Sequence, residues 1–166
     1  MTNLWKLDDE GSRILEAVDK IATEVIGPLA PTIDKEGRFP HENFKALRTA
    51  GLLGLLSAKK VGGRGQGLRT AVAVAERIAR ECPSTAMITI MHNGAAMVIE
   101  SFGSNLMRQG IAEGGQLATL AFSESGSRSH FWLPVSTATK TTDGIRLNAD
   151  KQLITAAGNC DIYVWS

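Results

Sequence analysis

Cysteine is scarce. Cys82 and Cys160 are the only two, and neither has a second Cys or His at ligand spacing, which argues against both a disulfide framework and a zinc site and fits a reducing compartment. The three histidines, His41, His92 and His130, are scattered and suggest no metal constellation. Neither sign of charge is in excess: 18 Lys and Arg face 17 Asp and Glu, a net charge of +1. A nucleic-acid binder built on phosphate contacts needs a basic surplus, so that class is set aside. No apolar run approaches the roughly 20 residues of a membrane span. The first ten residues also lack a basic stretch followed by an apolar one. The expectation is a soluble cytoplasmic protein without a membrane span.

What is present supports a folded core. The chain has 166 residues, 43% of them apolar and 21% charged, enough to bury a sizeable interior. Over residues 8–34, Ile14, Leu15, Val18, Ile21, Ala22 and Val25 recur at three- and four-residue steps, the period of an amphipathic helix. Pro28 and Pro31 are expected to kink or end it. A second helix is expected over 40–50 with Phe44 and Leu47 inward, and Gly51 breaks it. A third is expected over 68–80. A fourth, over 86–102, is apolar almost all round and reads as a buried central helix whose polar interior members are Thr89, His92, Asn93 and Gly94.

Between the second and third helices, Gly62, Gly63, Gly65 and Gly67 mark a loop. Neither phosphate-loop spacing can be laid on it, so it reads as structural. After Gly114-Gly115, alternation replaces the helical period and threonine becomes frequent. Candidate strands lie at 117–122, 135–141, 144–147, 152–155 and 162–165, with Thr142-Asp143-Gly144 as a hairpin turn. The expected fold is α+β: an N-terminal α-helical bundle over 1–115, then an incomplete antiparallel β-barrel-like domain over 116–166. A β unit this short is marginal alone, so the end at Ser166 reads as a cut inside a strand.

The segment AFSESGSRSH, residues 121–130, follows a strand and concentrates hydroxyls and backbone donors. On composition it is either a ligand-facing loop or a plain polar turn. Ser129 and His130 are neighbours whose side chains diverge on a strand, so no hydrolytic triad is legible.

That loop, the helix order and the closing NADKQLIT of residues 148–155 together resemble the flavin-dependent acyl-CoA dehydrogenase family. There a loop of the form A-L-T-E-P-G-A-G-S-D precedes a hairpin and L-N-G-x-K-x-W-I-T-N. The GGRG of residues 62–65 and the AERIAR helix are similar to the family as well. The resemblance implies FAD as cofactor, with contacts at Leu120, Ala121, Phe122 and Ser123 in the first motif. In the second motif it implies Leu153, Ile154 and Thr155. Donors aimed at the isoalloxazine edge stabilise the charge that reduction places there. Ser129 matches the serine near both cofactor and the thioester arm, and Arg128 lies on the substrate side.

His92 reads on its own as a satisfied core histidine; the resemblance raises it to a candidate pocket residue. The implied activity is α,β-desaturation of an acyl thioester, with acyl-CoA as substrate and an electron-transfer flavoprotein as acceptor, in a homo-oligomer. The resemblance places the catalytic base in a C-terminal helical domain outside this chain, and neither Glu100 nor Glu124 is assigned that role.

Departures from the pattern are Ser125 for Pro, Arg128 for Gly, His130 for Asp and Leu153 for Trp. They leave open a flavin monooxygenase of the same fold, and beyond it a helical binding module without cofactor.

Overall fold

The first helix begins where Asp8 accepts a hydrogen bond from the Gly11 N–H at 2.6 Å, with Asp9 and Glu10 favourably placed in the first turn. In this computed structural model, which describes residues 4–128 and 130–166, α1 spans Asp9–Ile21 and continues through a π-helical turn, Ala22–Ile26, into α2, Gly27–Glu36. Pro28 and Pro31 therefore do not end the helix. The wider π turn lies just before Pro28, where a proline ring would otherwise meet the carbonyl four residues back, and Pro28 itself falls in the first turn of α2. Termination comes later, at Gly37, whose left-handed φ of +60° lets its N–H and that of Arg38 reach Asp34 and Ile33.

Helix α3 spans His41–Thr49 and buries Phe44 and Leu47 as expected; α4 spans Leu68–Ala79 and α5 Pro83–Phe102. The main core joins Ile14, Val18, Leu47, Leu53, Val74 and Ile78. Helix α5 was expected to be enclosed. It buries only one side, through Ile88, His92, Ala95, Ala96 and Ile99, and leaves Met87, Ile90 and Met97 exposed. A further helix, α6 at Asn105–Ala112, escapes the periodicity because it is short and holds Gly110; the Ser104 cap, accepting from the Met107 N–H, was its available signal. No helix among the described residues is long and apolar enough to cross a membrane.

The glycine loop is structural. Gly63, Arg64, Gly65 and Gln66 donate their N–H groups to the carbonyls of Ala58, Gly54, Ser57 and Leu55, so they are not gathered around a phosphate.

Among the described residues four strands follow: β1 Ala118–Ala121, β2 Thr139–Thr141, β3 Gly144–Arg146 and β4 Ile162–Trp165. The α+β architecture, helices first, is as expected. The β2–β3 hairpin is antiparallel around the expected turn, with Thr141 opposite Gly144. The other pair corrects the antiparallel expectation: β1 and β4 run parallel, Ala118 opposite Ile162 through Ala121 opposite Trp165. Ala95, Ala96, Ile99, Ile111 and Ala118 form a second cluster that seats this pair on α5.

Two other strand expectations fail for local reasons. In 135–141 only the last three residues form a strand, because the Val135 and Ser136 N–H groups donate to the Glu124 carboxylate instead of a ladder. Residues 152–155 turn instead of extending, with Leu153 at φ +53°.

Candidate cofactor site

Strand β1 is positioned by His92. Its Nε2 lies 2.8 Å from the Leu53 carbonyl and its Nδ1 3.1 Å from the Ala118 N–H. A carbonyl needs a donor and an N–H needs an acceptor, so the ring is the neutral tautomer with its proton on Nε2. Burial pushes its pKa down, and the neutral form is the one the two backbone partners require. With 0% exposure and both nitrogens committed, His92 has the geometry of a satisfied core histidine that links α5, the loop after α3 and β1.

Beyond His92, the chain places the two sequence motifs side by side. The Thr119 hydroxyl donates to the Thr155 carbonyl at 2.8 Å, and the Gln152 N–H donates to the Ser123 carbonyl at 2.8 Å. Glu124 and Lys151 form an isolated antiparallel bridge between the same segments. Leu120 and Ala121 lie within β1; Leu120 reaches α5 at Gly94, where a side chain would crowd it at 3.1 Å, and Ala121 is 1% exposed. The Phe122 and Ser123 N–H groups and the Ser123 hydroxyl make no hydrogen bond to another described residue. Neither do the N–H groups of Leu153, Ile154 and Thr155 or the Thr155 hydroxyl. Two adjacent segments thus carry a set of donors without protein acceptors, half-exposed at Phe122, Ser123, Ile154 and Thr155 and fully exposed at Leu153, and such a set fits the carbonyl- and nitrogen-bearing edge of a flavin. Ser129 lies outside the described residues.

Behind the donors stands a buried charge pair. The Glu124 and Lys151 side chains are 4% and 2% exposed and meet at 2.6 Å. The carboxylate also accepts the Val135 and Ser136 N–H groups at 2.8 and 2.9 Å and the Ser136 hydroxyl. Lys151 and then the Ser136 hydroxyl hold its pKa down at about 2. Glu100 is likewise ion-paired with Arg108 and held below the usual carboxylate range mainly by that contact. Neither is placed to take a proton at neutral pH. Burial pushes the Cys160 thiol up to about 11, which leaves it protonated and a poor nucleophile.

Arg128 stands at φ +52°, ψ −124°, a region glycine occupies without strain, and its exposed side chain makes no bond to another described residue. Arg128→Gly is expected to raise stability by about 1 kcal/mol, the strain relieved less the entropy glycine adds to the unfolded chain. Urea denaturation of the pair of proteins measures it, and a loss of stability would show that the arginine is favoured where it stands.

A helical bundle carrying a parallel strand pair on its long helix, with two donor-bearing loops held together at the strand end, defines the class. Residues 8–113 match the family described as acyl-CoA dehydrogenase, N-terminal domain, and the chain belongs to the acyl-CoA dehydrogenase family. It is 28% identical over 169 residues to an acryloyl-CoA reductase (NADH) of Anaerotignum propionicum, covering 96% of this chain and 43% of that protein. It is 29% identical over 157 residues to the human mitochondrial short-chain specific acyl-CoA dehydrogenase, covering 92% and 38%. The chain thus spans about two-fifths of the length of these curated relatives. Among solved structures, butyryl-CoA dehydrogenase from Megasphaera elsdenii superimposes with a TM-score of 0.85 at 23% identity, over 96% of this chain and 44% of that one. The FAD complex of PigA gives 0.82 at 21% identity, over 96% and 44%. These two likenesses concern the fold.

Proposed function

We propose that the chain supplies the flavin-facing wall of an acyl-CoA dehydrogenase-type oxidoreductase. The observation that carries this reading is the junction of the 119–124 and 151–155 segments, with unengaged donors on both sides of it. FAD, when bound, supplies the hydride acceptor for α,β-desaturation of an acyl thioester. Leu120, Ala121, Phe122 and Ser123 present one backbone edge to it, and Leu153, Ile154 and Thr155 the other. Donors fixed there before reaction need no reorganisation when negative charge grows on the ring. Arg128 borders the substrate side, a role the resemblance implies for Ser129 as well, and His92 acts by holding β1. Glu100 and Glu124 are ion-paired and are assigned no part in removing the α-proton; the family resemblance implies a base on a C-terminal helical domain. Electrons leave to an acceptor such as an electron-transfer flavoprotein, and the complete protein is a homo-oligomer.

The test is anaerobic. The full-length polypeptide carrying this chain is expected to hold about one FAD per chain and to bleach on addition of an acyl-CoA without an added reductase, whereas residues 1–166 alone retain FAD weakly. Stoichiometric FAD on the isolated chain would contradict the second expectation. A protein without flavin would instead fit a helical binding module.

A second reading keeps the flavin and substitutes oxygen for the acyl thioester. It is favoured by the cation Arg128 and by Leu153, 93% exposed at a position where the family pattern has tryptophan. Bleaching that requires an added reductase, followed by oxygen consumption, would select it.

A further inference from the structure

The segments that carry the unengaged donors have no sheet to hold them together. Residues 122–124 lie beyond β1 and residues 151–155 belong to no strand, so their spacing rests on the Thr119–Thr155 and Ser123–Gln152 hydrogen bonds and on the Glu124–Lys151 pair. Two bonds define an edge along which the pieces can still hinge. The charge pair supplies the third point.

A buried ion pair is an inefficient way to stabilise a fold, since desolvation of both charges offsets most of their attraction and well-packed apolar residues serve as well or better. What this pair adds to packing is a choice of partners, since each hydrogen bond fixes which groups meet. The donors on the Glu124 carboxylate come from two other segments, Lys151 on one side and Val135-Ser136 on the other. The ammonium in turn reaches the Phe122 carbonyl at 3.4 Å and the Ser166 carbonyl, beside the Trp165 ring at 5.9 Å. The hydrogen bonds among these contacts are directional, and together they tie the end of β1, the second motif and the end of β4 to one point.

We propose that Glu124 and Lys151 are positioning residues for the cofactor: the buried pair fixes the spacing of the 120–123 and 153–155 segments, so that donors from both meet one planar ligand. This rests on the flavin reading above. It assigns the pair no contact with the reacting atoms.

The test uses the full-length polypeptide, with E124Q, K151M and the double variant E124Q/K151M, and two readouts. Amide exchange of the apoprotein follows the Gln152 N–H, with amides of α4 and α5 as the internal standard for the fold; fluorescence titration with FAD gives Kd. Each single variant is expected to speed Gln152 exchange and to raise Kd about tenfold or more, with α4 and α5 unchanged, and the double variant to be no worse than either single one. If E124Q loses helical content, Ser136→Ala, which removes one donor from the carboxylate, is expected to raise Kd about threefold on an intact fold. Kd within twofold of the parent, with Gln152 exchange accelerated, would overturn the role in cofactor positioning. Unchanged Gln152 exchange in E124Q would overturn the claim that the pair sets the spacing. A parent protein that binds no FAD overturns the flavin reading itself, a result the exchange data keep separate from the other two.

Discussion

Truncating His92 to alanine is expected to lower folding stability by about 3–5 kcal/mol, a large share of the roughly 5–15 kcal/mol that holds a domain together. The imidazole is 0% exposed and is the partner of the Leu53 carbonyl and the Ala118 N–H. The variant orphans both backbone groups in the interior and leaves a ring-sized void, and the penalties act together because nothing nearby can replace a side chain that donates at one end and accepts at the other. Denaturant midpoints measure the loss. His92→Gln, which can satisfy one of the two partners, is expected to fall about midway. The pH dependence has a definite sign. Burial lowers the folded pKa, and Arg48 adds to the lowering. The contribution is therefore complete above the unfolded value of about 6.5 and is lost as pH falls below it toward the folded pKa, since the unfolded chain then binds a proton that the folded ring cannot take without giving up Ala118. H92Q should flatten that part of the stability profile. A parent protein equally stable at pH 5 and 7.5 would show that the ring is not held neutral.

Gly54→Ala is expected to lower stability by about 3 kcal/mol, for a geometric reason. A Cβ on Gly54 would stand 2.2 Å from the Ala112 carbonyl oxygen and 3.0 Å from its carbon. Both are backbone atoms at the end of α6, which cannot rotate aside, so the loop has to move. That loop carries Leu53, and its displacement stretches the carbonyl away from His92. The effect should reach β1, with faster amide exchange at Ala118 as well as a lower melting temperature. Gly67→Ala serves as the sterically open comparison: its φ is −97° and a Cβ there meets nothing within 4 Å, so its cost should stay within about 1 kcal/mol, that of alanine in place of glycine at the N-cap of α4. Equal effects at the two positions would refute the steric account.

The parts of the fold legible in the sequence were those decided locally. Ile14 and Val18 mark the inward face of α1 by period alone, and Thr142-Asp143-Gly144 names its own turn. The features that escaped are settled at a distance. Nothing in residues 162–165 states that they pair in parallel with 118–121. The alternation in 135–136 suggests a strand, and only the arrival of Glu124 diverts those N–H groups. For the same reason Glu124 read as an ordinary turn residue: its partner Lys151 lies across the hairpin, and no spacing rule connects them. The site was legible only through the paired motifs and their resemblance. Side-chain chemistry alone gave polar loops, because the donors proposed to face the cofactor are backbone N–H groups, which every sequence possesses.

The parallel pairing of β1 with β4 carries a consequence for the order in which the chain folds. Helices α4 and α5 are separated by a short turn, whereas all of residues 122–161 must be brought round before β4 can lie on β1. Closing a loop of that length opposes folding by on the order of 3 kcal/mol before any strand contact compensates, and contacts so distant in sequence are characteristically slow to form. The helices can therefore assemble from local contacts and offer α5, with His92 already in place, as a surface on which β1 docks. The two motifs meet last. The segments proposed to face the cofactor are then also the first to separate when the molecule opens, and a ligand bound across them would act as the final fastening of the fold.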